Sequence, residues 1–414
     1  MSSLHHHRQN CRLCDSTSLT QVLSLTPTPP ANAFVSEDQL QEVQSTFPLE
    51  LYFCENCAHL QLLDVVDPAE LFRNYVYVSG TSPSFVKHFE DYAGTCTTRF
   101  NLSPGDLVID IGSNDGTLLK FFKSNGLKVL GVDPARAIAE KATADGIETW
   151  PEFLNQTIAD RVKADRGQAR LITANNVFAH ADDLSSLTDS IRSLLAPDGV
   201  FVFEVSYLTD VYQDTLFDTI YHEHVSYHSA LPLRQFFTSK DMDFFAAEKI
   251  ASHGGSLRGM VQLAGGPHKA DGSVQSLIDE EHSLALDRSE TWLGYGEKIN
   301  ALKDQLVALL TKLKQNGKTI AGFGAPAKAT TLIYHFNLGP DIVDFIADDA
   351  TLKQGLFSPG LHIPVLPGQA LYDKKPDYVV LLAWNFAPQI MSNHTKYLES
   401  GGHFILPLPE VKVY

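Results

Sequence analysis

The stretch Val108-Ile-Asp110-Ile-Gly112-Ser-Asn114-Asp115-Gly116 limits what this chain can fold into more than any other part of it. A short apolar run broken by glycines reads as a buried strand ending in a tight turn, with a helix from Thr117 to Lys123 behind it. Glycine at such a turn allows positive φ and lets the backbone approach a ligand closely. A second apolar run, Val129 to Val132, ends at Asp133, 21 residues beyond Gly112. An acid there can accept hydrogen bonds from both hydroxyls of a ribose. Strand, turn, helix and terminal acid together predict an α/β sheet with a nucleoside beyond the carboxyl ends of its strands.

The glycine spacing is G-x-x-x-G rather than G-x-G-x-x-G, so the turn lacks the pattern that cradles a pyrophosphate. Asp110 and Asp115 would repel phosphates and favour a cationic ligand. S-adenosylmethionine, with a sulfonium and an ammonium, has the right sign. Asp110, Gly112, Asn114, Asp115, Gly116, Asp133 and Pro134 are therefore the candidate cofactor residues. The α/β alternation continues through strands at Leu171-Thr173 and Val200-Val205, with a helix from Ala181 to Leu195 between them and a Pro197-Asp-Gly199 turn after it. Asn175, Asn176, Phe178 and His180 then fall at a strand end and are pocket candidates. For His180, a helix-start residue facing water is the competing reading.

Tyr221-His222-Glu223-His224 crowds four groups able to hold or move a proton into four positions. An extended segment would put Tyr221 and Glu223 on one face and both histidines on the other, whereas a helix would pair Tyr221 with His224. A polar surface loop, or a metal clip of His222 and His224, are the alternatives.

Two C-x-x-C pairs, Cys11/Cys14 and Cys54/Cys57, stand 39 residues apart and offer four thiolates to one tetrahedral Zn²⁺. The intervening prolines Pro27, Pro29 and Pro30 suit a unit with little core that folds around its metal. Such a zinc is structural, because every position is filled by protein; a redox dithiol or buried thiols are the other readings. Cys96 stands alone and is expected to be a small buried hydrophobe.

At 414 residues the chain exceeds one hydrophobic core, so two or three domains are expected. Its net charge of −17, with no basic run, disfavours nucleic acid, and no apolar run is long enough to span a membrane. A cytoplasmic location is the default expectation, and the charge is compatible with either a monomer or a homodimer. Tyr75-Val-Tyr77-Val-Ser79 precedes a helix through His88 to Phe100. After His253-Gly-Gly-Ser-Leu-Arg258 and an acidic helical region, Thr319-Ile-Ala-Gly322-Phe-Gly324-Ala-Pro-Ala327-Lys328 forms a second strand and glycine turn. Here G-x-G-x-x-A does match the dinucleotide pattern, with Asp348 ending a later strand. The turn's N–H groups with Lys328 could instead hold a substrate's phosphates. Strands at Tyr378-Leu382 and His403-Leu406 complete a second α/β domain.

With these blocks in order, the chain resembles, along nearly its full length, the S-adenosylmethionine-dependent C-methyltransferases that act on nucleotide-linked 4-keto-deoxysugars. Lys353-Gln-Gly355 is a further block of the match. The resemblance implies a zinc module (residues 1–70), a class I methyltransferase domain (71–240) and a C-terminal Rossmann-like domain (241–414) that contributes to nucleotide-sugar binding. It implies a dTDP-linked substrate whose 4-keto group acidifies the neighbouring C3 proton. A base removes that proton, the enolate takes the methyl group, and S-adenosylhomocysteine is released. His224 is the expected base, with His222 as the alternative. Glu223 would orient it or a neighbour, and Tyr221, Tyr75 and His180 would hold the developing oxyanion or fix the sugar. Tyr77, Ser79, His222 and Lys328 are expected substrate contacts. Two other classes compete: a nicotinamide-dependent nucleotide-sugar oxidoreductase using the second glycine turn, and a non-catalytic nucleotide-sugar binding protein.

Overall fold

The computed structural model describes residues 4–72, 80 and 83–414. The expected contacts Tyr75, Tyr77 and Ser79 lie outside these residues.

The N-terminal unit is an antiparallel sheet in the order Ser226–Tyr227, Leu60–Leu62, Phe47–Cys54, Leu19–Thr28. Alternation sets its faces: Phe47, Leu49, Leu51 and Phe53 point inward, and Pro48, Glu50 and Tyr52 outward. Pro27 sits inside the first strand rather than in a loop. It falls where the register slips between Leu25 and Thr28, a place where a missing N–H costs no ladder bond.

The central sheet runs Met242–Ile250, Ser256–Leu263, Leu195–Ser206, Ala169–Asn175, Leu107–Ile111, Lys128–Val132, Thr149–Trp150. Ser256–Leu263 runs antiparallel to both of its neighbours, and the other strand pairs of the sheet are parallel. The hairpin out to Leu263, past the expected border at residue 240, pairs into this sheet, with Val200–Ser206 against Ser256–Gln262. The helix expected from Ala181 starts at Leu184, since the Asp183 carboxylate accepts from the Ser186 N–H at 2.9 Å and caps it. Pro197-Asp-Gly199 bulges out of a strand whose pairing resumes at Val200.

The C-terminal sheet is ordered Val365–Pro367, Ile346–Asp348, Ile320–Phe323, Tyr378–Leu381, His403–Leu406, Lys412–Val413, with only the last pair antiparallel. Among the described residues no helix is long and apolar enough to cross a membrane.

The N-terminal unit has no separate interior. Its Leu49, Leu51 and Leu60 pack in one cluster with Ile299, Leu306 and Leu332 of the C-terminal part, while Cys11, Cys54 and Cys57 pack with the central domain's Phe178 and Leu184. The long helix Ser289–Gln315 approaches closely enough that a Cβ on Gly296 would lie 3.2 Å from the Val22 carbonyl. The segment carrying Tyr221 to His224 therefore runs where all three parts meet.

Candidate active site and metal centre

At the first glycine turn, Gly112 and Gly116 take φ of +67° and +73°, and a Cβ on Gly112 would collide with Val177. Asn114 is left-handed too, at φ +50°. The Asp133 carboxylate shapes the turn by accepting the Asn114 and Ala135 N–H groups, each at 2.8 Å. Its oxygens retain lone pairs for a ribose. Asp115 accepts from Thr117 Oγ1 at 2.7 Å and from the Gly80 N–H at 3.1 Å, so it ties the turn to the chain before the helix Pro83–Arg99. Pro134 is half-buried beside Asp133.

Asp110 is buried and accepts from Thr173 Oγ1 at 2.6 Å. Burial pushes its pKa up to about 7; the Thr173 bond opposes this and the Asp133 charge adds to it. Both amide atoms of Asn175 are buried with no partner among the described residues, at the carboxyl end of Ala169–Asn175. Two buried acids, an unpartnered amide and a glycine turn fit a cationic nucleoside, so these residues suit S-adenosylmethionine. The pKa sets a sign. Below pH 7 the Asp110 carboxyl is protonated, so affinity for the cationic cofactor is expected to rise with pH and level off above it. Asp110→Asn should weaken binding about 10- to 100-fold and flatten the profile. Calorimetry from pH 5.5 to 8.5 checks both.

Phe178 corrects the expectation of a cofactor contact. It is fully buried, with ring centroids 5.6 Å from Phe203 and 5.9 Å from Phe237, and is part of the core.

Tyr221 to His224 forms a turn, with the His224 N–H on the Tyr221 carbonyl at 2.8 Å. The two rings lie 4.2 Å apart, as the helical alternative implied. His180 stacks on the other side of His224 at 5.1 Å, and Phe72 stacks on His180 at 5.4 Å. His224 Nδ1 lies 2.8 Å from the Thr219 carbonyl. A carbonyl only accepts, so Nδ1 carries the proton and the neutral ring keeps its lone pair on Nε2. Burial, with the adjacent His224 adding to it, holds His180 well below the usual imidazole pKa, so it is neutral near pH 7.

His222 does not face the same way. Its ring is buried, edge-on to Phe47, with Nε2 donating to the Pro48 and Phe47 carbonyls at 3.1 and 3.3 Å. It ties the segment to the N-terminal unit at the position expected to be a substrate contact or the alternative base. Glu223 also turns from the expected position: Oε1 accepts from Asn32 Nδ2 at 3.0 Å, and the Thr219 carbonyl orients His224 in its place.

Lys328 is another correction. Its Nζ lies 3.3 Å from Asp218 Oδ2 and 4.3 Å from the Trp384 ring, while Trp384 Nε1 donates to the same oxygen at 2.7 Å. The charge expected to meet phosphate is held by a buried carboxylate instead. The second glycine turn is shaped as the first is, by an acid at the end of the next strand. Asp348 accepts the Ala325 and Ala350 N–H groups at 2.6 and 2.7 Å, and Ala383 stands where a Cβ on Gly324 would be.

The four cysteine sulfurs Cys11, Cys14, Cys54 and Cys57 lie within 4.8 Å of one another, with Cys11–Cys57 and Cys14–Cys54 both at 3.6 Å. Tetrahedral zinc with Zn–S bonds of about 2.3 Å would space its sulfurs by about 3.8 Å. The set fits. Sequence reading missed Thr173, Asn32 and the Thr219 carbonyl, none of which carries a local signal; Lys353 stood in a recognised block but without a role.

Comparison with known proteins adds the family. Residues 11–72 match a zinc binding domain, 88–243 a methyltransferase domain and 251–409 a C-methyltransferase C-terminal domain. The chain is 34% identical to C-methyltransferase NovU of Streptomyces niveus over 403 residues, 97% of this chain and 96% of that one. Among solved structures, magnesium protoporphyrin IX methyltransferase of Synechocystis PCC 6803 is 14% identical with a TM-score of 0.33, covering 43% of this chain and 79% of that one. An S-adenosylmethionine-dependent methyltransferase of Clostridium acetobutylicum is 15% identical with a TM-score of 0.35, covering 44% and 92%. Likeness at that level carries no argument about this chain. The near full-length match, the four-cysteine cluster and the methyl-donor fold agree: the chain belongs to the S-adenosylmethionine-dependent C-methyltransferases that NovU represents, with an N-terminal zinc-binding domain and a C-terminal C-methyltransferase domain.

Proposed function

We propose that this enzyme methylates C3, beside the 4-keto group, of a dTDP-linked deoxysugar in branched-sugar biosynthesis in the cytoplasm. The observation that carries the reading is the ring of His224. Its proton is committed to the Thr219 carbonyl, and its Nε2 is the basic atom of a ring held between Tyr221 and His180. S-adenosylmethionine supplies the methyl carbon. His224 Nε2 takes the C3 proton, and the Tyr221 hydroxyl and a neutral His180 N–H donate to the oxyanion that forms at C4; Tyr75 is the further candidate for that role. Asp110, Asp133 and Asn175 hold the cofactor, with the glycine turn allowing close approach.

Against the oxidoreductase reading, Ala325 in the second glycine turn has its N–H on Asp348 and its carbonyl on Lys353. Mass spectrometry of the protein with S-adenosylmethionine and a panel of dTDP-4-keto-deoxyhexoses tests the proposal. One sugar should gain a methylene mass with matching S-adenosylhomocysteine. A substrate deuterated at C3 should lose its label, and retention of that label in the methylated product would move the reaction to C5. Methylation of none of the panel would overturn the sugar assignment.

A further inference from the structure

Glu223 is the acid of the segment, and its partners come from both flanking parts of the molecule. Asn32 of the N-terminal unit donates to it through Nδ2 at 3.0 Å, and Asn32 Oδ1 lies 3.2 Å from Lys353 Nζ. The same ammonium donates to the Ala325 carbonyl at 2.7 Å and sits 4.3 Å from the Phe34 ring. The amide can face only one way. Its oxygen must meet the ammonium and its nitrogen the carboxylate, so Lys353, Asn32 and Glu223 form a directed relay.

The relay is a strong restraint for two reasons. A partly buried ammonium is costly unless bonded, which fixes Lys353 at Ala325 and Asn32. A carboxylate that is 4% exposed likewise cannot drift from its donor without losing much of its compensation. Glu223 lies directly between His222, anchored at Phe47 and Pro48, and His224, anchored at Thr219. A shift of its carboxylate would therefore move the Tyr221–His224 turn.

We propose that Lys353 is a positioning residue for the methyl transfer: through Asn32 its ammonium holds the Glu223 carboxylate, and with it the turn bearing Tyr221 and His224, in the reactive arrangement. This rests on the reading of His224 as the base. The C-terminal domain thereby acts on the chemistry without touching the reacting atoms.

Burial lowers the Lys353 pKa to about 8, against the opposing charges of Asp348 and Glu223. Asp348, Glu223, Asn32, the Ala325 carbonyl and the Phe34 ring face the ammonium. Glu223 in turn lines a cavity of about 350 Å³ with Gln44, Ser45 and Glu70, whose carboxylate is the other charge there. The ammonium is present below pH 8 and lost above it, so the relay's help should fade as pH rises through that value.

The test is steady-state kinetics on the full-length, zinc-loaded enzyme with S-adenosylmethionine and its sugar nucleotide. Lys353→Met should lower kcat on the order of 10- to 100-fold, the scale of a misplaced catalytic group, with cofactor affinity, sugar KM and zinc content unchanged. Wild type should show a fall in kcat near pH 8. Lys353→Arg should restore most of the rate and move that fall upward, and Lys353→Met should lack it. The double variant Asn32→Ala/Lys353→Met should be no slower than the slower single variant. A raised sugar KM with unchanged kcat in Lys353→Met would overturn the proposal by making the lysine a substrate contact. So would a variant whose melting temperature falls while kcat and its pH profile stay as in wild type. A Glu223→Gln enzyme at full rate beside a slow Lys353→Met would break the relay at its end. A full-rate His224→Ala enzyme would remove the underlying reading instead, so the two failures are distinguishable.

Discussion

His224→Ala is expected to bind S-adenosylmethionine as wild type does and to turn over about 10³-fold more slowly, the usual worth of a positioned general base. Cofactor affinity should hold because the residues proposed to hold the cofactor, Asp110, Asp133 and Asn175, lie on or just beyond central strands, and none bonds to His224. Turnover should collapse because, among the described residues, neither neighbouring histidine is suited to take over. His180 stacks against the same space but is held neutral by its surroundings as a weak base, and His222 is buried, its Nε2 on two backbone carbonyls, its Nδ1 shut off from solvent and its pKa lowered by that burial. His222→Ala is the informative contrast. It should destabilise the protein by roughly 1–3 kcal/mol through a buried cavity and two carbonyls left without a donor, with a much smaller effect on the chemical step. Calorimetry for the cofactor and single-turnover kinetics for the sugar separate these outcomes, and a full-rate His224→Ala enzyme would sink the assignment.

Cys54→Ser should have the other large effect, on folding. Removing one thiolate from a four-sulfur set is expected to take the zinc content from one per chain to near zero, measured by elemental analysis. In small autonomous zinc modules the metal contributes about 10–16 kcal/mol to folding. Here the unit's Leu49, Leu51 and Leu60 are also packed against the C-terminal helices, so part of the unit should persist and the loss should be several kcal/mol. Activity should fall with it, since Phe47 and Pro48, which hold His222, lie on the strand that ends at Cys54. A Cys54→Ser protein with unchanged melting temperature and turnover would show that the metal is dispensable for this architecture.

Much of the scaffold was legible before any coordinates. The strand expected before the first glycine turn is Leu107–Ile111, the helix after that turn begins at Thr117, and the last parallel strand is His403–Leu406. The cysteine pairs converge as their spacing implied. The misplaced readings share a cause. Phe178 looked like a pocket residue because it follows a strand end, yet its ring turns into a cluster with Phe201, Phe203 and Phe237. Lys328 looked like a phosphate ligand because a lysine follows a glycine turn, yet Asp218, 110 residues earlier in the chain, claims its charge.

Periodicity, glycine at positive φ and paired thiols are local properties, each read within a few residues along the chain, and they determined the strands, the turns and the two halves of the four-cysteine site. The direction of a polar side chain is set by whichever partner satisfies it on burial, and those partners are far away in sequence. Asn32 reaches Glu223 across 191 residues, Lys353 reaches Asn32 across 321, and His222 meets Phe47 across 175. An unpaired buried polar group costs about 1–3 kcal/mol, enough to choose between two rotamers outright. The tertiary structure alone therefore decided where each of the two histidines points, His222 to the Phe47 and Pro48 carbonyls and His224 to the Thr219 carbonyl and the Tyr221 and His180 rings, and that Asn32 meets the acid between them.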